Sequence, residues 1–133
     1  MRIVEAPAPL LWKAVDDTLT YLSLKYGVSK PYFTFEKPVD PYIDAVYDTR
    51  TKSIVFFRVS PLIVAHEAAH HIDNELNLKT YCDECFADAF AERHLAEIAP
   101  FWAGVFPLVA PLIKSRSAIT ALATGISLLL AAI

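Results

Sequence analysis

The chain has 133 residues and a mass of 14.8 kDa, room for one domain and little more. An apolar fraction of 55% and a mean hydropathy of +0.37 exclude an intrinsically disordered chain. The net charge is −3, and the scattered acidic residues leave no basic face for phosphates, so a nucleic-acid partner is not expected.

Apolar content is uneven along the chain. The last 36 residues contain 24 apolar side chains and only two charges, Lys114 and Arg116. The expected organisation is therefore an acidic globular domain over 1–97 and an apolar extension over 98–133. The N-terminus shows no uninterrupted apolar run with a small-residue cleavage site behind it, and no signal peptide is expected.

Residues 9–26 read as a helix: Pro9 suits a first turn, and Leu11, Val15, Leu19, Leu22 and Tyr26 recur at helical spacing. Gly27 ends it, being free to take a positive φ. Three short strands follow, at 31–36, 43–48 and 53–60, each aromatic or β-branched. The polar stretch 49–52 makes the last two a hairpin, while Pro38 and Pro41 confine the segment before them to a loop or sheet edge. Ser60-Pro61 opens a second helix running to about Leu76, with a hydroxyl cap and a proline where no N–H is needed. Thr80 and Asp83 resemble a capping box, so a third helix starts near Tyr81 and ends near Ile98, ahead of Pro100. The fold class expected is α+β.

The second helix contains His66-Glu67-Ala68-Ala69-His70. Residues four apart share a helix face, so two neutral imidazoles reach one ion, and Glu67 points at the water completing the site. Zn²⁺ lowers a water's pKa from about 15.7 toward 7, and Glu67 is placed to accept the proton as that water attacks a carbonyl. The third helix supplies Glu84-Cys85-Phe86-Ala87-Asp88. A Glu–Asp pair at this spacing is ordinarily two solvated acids. Behind His66 and His70 it reads as a third zinc ligand, Glu84, and an acceptor, Asp88, that holds a ligand histidine in its metal-binding tautomer. Zinc is inferred from the two-imidazole, one-carboxylate set.

HEAAH, 13 intervening residues and then ECFAD resembles the gluzincin metallopeptidases. The element order and size are similar to the minimal gluzincins and to the catalytic cores of CAAX-processing-type membrane metallopeptidases; the peptidases that inactivate phage repressors are the next most similar. The resemblance is good over 54–95 and covers 1–53 by element order only. It implies a zincin-like fold, zinc ligands His66, His70 and Glu84, a general base at Glu67 and a supporting Asp88. It also implies that strand 53–60 is an edge to which an extended peptide substrate adds.

Such enzymes use a further group to stabilise the oxyanion. His94, Arg93 and Tyr81 are the candidates, with His94 weakly favoured against a role as a helix C-terminal cation. His71, turned about 100° from His70 on the helix, reads as a partly exposed histidine. Cys82 and Cys85 form a CxxC at a helix start. They read as reduced, small packing residues, with a redox brake on Glu84 as the lesser alternative.

In the extension, 98–113 and 118–133 are each free of charge. Sixteen helical residues span about 24 Å, short of the roughly 30 Å hydrocarbon core. Membrane attachment is nevertheless favoured, since a segment this apolar cannot stay in water. For a single span, Lys114 and Arg116 then mark the cytoplasmic side and place the catalytic domain there, whereas a hairpin of both segments would put it outside. Packing on the domain or burial in a homo-oligomer, in a soluble cytoplasmic protein, are the alternatives. The functional expectation is a zinc-dependent endopeptidase acting on a peptide or protein substrate; the alternative is a non-catalytic metal-binding regulatory or assembly module.

Overall fold

A computed structural model describes residues 8–105. Its elements in chain order are α1 (Ala8–Tyr26), β1 (Tyr32–Phe35), β2 (Ala45–Asp48), β3 (Ser53–Phe56), α2 (Pro61–Leu76), α3 (Asp83–Ile98) and a 3₁₀ turn, Ala99–Trp102. The described chain is thus α+β, with three α-helices beside a small mixed sheet. The apolar extension from 106 onward, with its membrane and oligomer expectations, lies outside the described residues. Among the described residues no helix is long and apolar enough to cross a membrane.

Each helix forms where its periodicity places it. Val15, Leu19 and Leu22 of α1 are fully buried, and Gly27 closes the helix at φ 68°. Ser60 caps α2 by accepting the Ile63 N–H at 3.1 Å, and Asn77 ends it in the left-handed region. The cap of α3 is Cys82, two residues after the expected Thr80; the Thr80 hydroxyl instead lies 2.9 Å from Asp83 Oδ1. Helix α2 packs against the sheet, α1 and α3 pack on α2, and Ile54 and Phe56 of β3 are buried.

The strand order is β1-β3-β2, with β1 parallel and β2 antiparallel to β3. This corrects the expectation that strand 53–60 is a free edge. It ends at Phe56, and both its sides are occupied: Ile54 pairs with Phe33 on one and Tyr47 on the other. The physical reason is burial. β3 is the most apolar of the three strands, and the central position is the one that removes its side chains from water. The hairpin partner β2 is an edge strand.

The packed chain also runs past 97. Ile98, Ala99 and Trp102 are buried, and the Trp102 indole N–H donates to Thr18 Oγ1 at 3.0 Å, while the Thr18 hydroxyl donates to the Ala14 carbonyl at 2.7 Å. Pro100 ends α3 but turns the chain into a 3₁₀ segment that lays Trp102 against α1.

Candidate metal centre

Helix α2 presents His66 and His70 one turn apart, and α3 brings Glu84 from its first turn to meet them. His70 Nε2 lies 3.2 Å from His66 Nε2 and 2.9 Å from Glu84 Oε1, while His66 Nε2 lies 3.1 Å from Glu84 Oε2. These three side chains form a set able to hold a metal ion. Ligand atoms about 2.05 Å from a tetrahedral ion stand about 3.3 Å apart, so binding would spread the observed set by only a few tenths of an ångström.

Asp88, one turn beyond Glu84, places Oδ1 2.8 Å from His66 Nδ1. With Nδ1–H donated to Asp88, His66 Nε2 would be free to face an ion together with the Glu84 oxygen 3.1 Å away. The small Ala68, Ala69 and Ala87 are all buried, so the two helices approach closely enough for this convergence.

Glu67 points into the same cleft but is buried, with only 7% of its surface exposed. Burial strips water from its carboxylate and pushes the pKa up to about 7; Glu84 and Asp44 add to the rise, and His66 opposes it. A carboxyl poised near neutrality is suited to exchanging a proton with a reacting group.

The cleft has a volume of about 620 Å³. One wall is the loop and edge strand carrying Tyr42, Ile43, Val46 and Tyr47; Leu62 and Ile63 of α2 line it as well. Sequence reasoning missed this wall, because nothing local marks which strand of a hairpin will be the edge. Arg58 secures the rim, its Nη1 donating to the Ile43 carbonyl at 3.0 Å and lying 3.3 Å from Asp44 Oδ1. The chain matches no family model, no curated protein and no solved structure. The centre therefore rests on its own geometry.

The structure brings together His66, Glu67, His70, Glu84 and Asp88 and leaves His94 out. His94 is buried away from the cleft: its Nδ1 donates to the Phe90 carbonyl at 2.9 Å, and its Nε2 accepts from the Tyr26 hydroxyl at 2.7 Å. It follows Ala87, Phe90 and Ala91 on the inward stripe of α3, so tertiary packing claims it. Neither of the other oxyanion candidates, Arg93 and Tyr81, lines the cleft, and Tyr81 is fully exposed.

His71 is likewise corrected from half-exposed to buried. The 100° turn from His70 carries it inward, onto the stripe of Val64 and Ala68. Its Nε2 donates to the Ser29 carbonyl at 2.6 Å, so Nδ1 accepts from the Tyr47 hydroxyl at 2.8 Å, and that oxygen accepts from Asn74 Nδ2 at 3.0 Å. The chain of hydrogen bonds fastens the cleft strand β2 to α2. Cys82 and Cys85, expected as reduced packing residues, are joined as a disulfide. Their three-residue separation brings the two sulfurs together at the helix cap, with Cα atoms 5.2 Å apart.

Proposed function

We propose that the protein is a zinc-dependent endopeptidase of gluzincin type, with zinc held by His66, His70 and Glu84. The observation that carries the reading is the convergence of those three donors, backed by Asp88, beside a buried carboxyl on the same helix. Two imidazoles and a carboxylate are a donor set that suits zinc, and three protein donors leave a coordination position open for chemistry. Bound zinc would supply Lewis acidity and an acidified water.

The protein's own groups would do the rest. Glu67 accepts the proton of the attacking water and returns it to the departing amine, so its carboxyl ends the cycle as it began. Asp88 keeps the His66 ring oriented. An extended peptide would lie along the open edge of β2, where main-chain hydrogen bonds hold many sequences and Ile43 and Val46 offer apolar contact. The domain is proposed to be membrane-associated through residues 106–133.

Metal content measured by mass spectrometry, for the wild type and Glu84→Ala, tests the ligand set: one zinc per chain, lost in the variant, is expected. Cleavage of a mixed peptide library, scored with Glu67→Gln, tests the chemistry. The variant should keep zinc and lose turnover. Zinc-loaded wild type that cleaves nothing in the library would refute the peptidase reading and leave a metal-binding module.

A further inference from the structure

The third ligand stands on the least buried turn of α3. Along α3 the first buried side chain is Ala87; Asp83, Glu84 and Cys85 are exposed, and Cys82 and Phe86 are only half-buried. The preceding connection contains two non-glycine residues in the left-handed region, Asn77 at φ 51° and Lys79 at φ 52°. Core packing therefore orders α3 from Ala87 onward and does little for the turn that carries Glu84. Segments with few buried contacts open locally at low cost.

What closes that turn is local. The Cys82 sulfur accepts the Cys85 N–H at 3.1 Å, the Cys82 carbonyl accepts the Phe86 N–H at 2.9 Å, and the Cys82–Cys85 disulfide bridges the turn on either side of Glu84. His66 and His70 need no such help, because α2 is buried along most of its length. The covalent cross-link thus bears on one ligand of the three.

We propose that the Cys82–Cys85 disulfide is a redox latch on the metal centre: oxidised, it holds Glu84 in the ligand position, and reduced, it releases the first turn of α3 and weakens metal binding. Both sulfurs belong to residues at least partly open to solvent, so a thiol reductant can reach them. Reduction by an external dithiol breaks the S–S bond, transfers two electrons and two protons to give two protein thiols, and leaves the dithiol as a disulfide. Glu84 then sits on a turn free to fray, and holding it against the two imidazoles carries an ordering cost that the oxidised form does not meet. The inference rests on the zinc-site reading above.

Zinc affinity of the full chain, measured by competition with a chromophoric chelator, tests it in three samples. These are the oxidised protein, the protein reduced by a water-soluble phosphine that is then removed, and the double variant Cys82→Ser/Cys85→Ser. Serine keeps a helix cap at 82 and removes only the cross-link. Reduction and the double variant should each weaken zinc binding about tenfold, the lower end of what loss of ligand support costs, and the phosphine should not change the variant. Amide hydrogen exchange should rise over 82–86 and stay unchanged over α2. Equal affinity in all three samples overturns the latch while leaving the metal site standing. Tighter binding on reduction, from thiolates capturing the ion, overturns it as well. No zinc in the oxidised protein refutes the site and the latch with it, and a loss of exchange protection throughout the domain would assign the disulfide to global folding instead.

Discussion

Asp88→Ala isolates what a carboxylate behind a proposed ligand histidine contributes. Asp88 Oδ1 is 2.8 Å from His66 Nδ1, and its side chain is 76% exposed. Removing such a partner costs 10- to 100-fold in metal affinity as a rule. Exposure decides where in that range this site falls: water replaces the carboxylate and screens its charge, so the expected loss is about tenfold, or about 1.4 kcal/mol. The fold itself should not suffer, because an exposed helical aspartate replaced by alanine changes stability by about 0.5 kcal/mol or less. Zinc affinity from chelator competition, set beside urea melts of the metal-free protein, separates the two effects. An unchanged affinity would refute the orienting role. A loss as complete as that of Glu84→Ala would make Asp88 a ligand in its own right.

Three further outcomes follow from the packing. Trp102→Ala removes the largest fully buried side chain and should destabilise the protein by about 3–5 kcal/mol in urea melts, so a chain ending at 97 should fail to fold cooperatively; a loss below 1 kcal/mol would return Trp102 to the extension. Tyr47→Phe leaves buried His71 Nδ1 without its donor and should cost about 1–3 kcal/mol while zinc affinity stays within twofold, since the His71 ring bonds Tyr47 and Ser29 rather than the proposed ligands. Glu75 is held below the usual carboxylate range by its hydrogen bond and ion pair with Lys52, 2.9 Å away, against an opposing desolvation. Its folded pKa lies below its unfolded one, so the stabilisation is full above the ordinary glutamate pKa and is lost as pH falls through the lowered value. Lys52→Gln should flatten that part of the acid limb, and an unaltered limb would assign the acid sensitivity to other groups.

The helices were legible in the sequence because their signals are local. Ser60-Pro61 announces the start of α2, and the spacing of Leu11 to Tyr26 announces α1. The convergence of His66, His70 and Glu84 was legible too, since HEAAH followed by ECFAD needs only two helices and their periodicity. The buried histidines were misread although their signal was present: His71 lies seven residues after Val64, and His94 seven after Ala87, on stripes that are otherwise apolar. A histidine there is a core residue when the fold supplies both ring nitrogens with partners. Those partners, Tyr47 with Ser29 and Tyr26 with Phe90, include residues 24 to 68 positions away in sequence.

By itself, the amino-acid sequence determined the α-helices and strands of the described residues and which side chains could share one helix face. Tertiary structure alone decided the strand order, which made β2 the cleft wall and β3 the interior, and it decided that Trp102 closes the core. Periodicity is written into neighbouring residues, whereas edge, interior and closure depend on which distant segments compete to remove the same apolar surface from water.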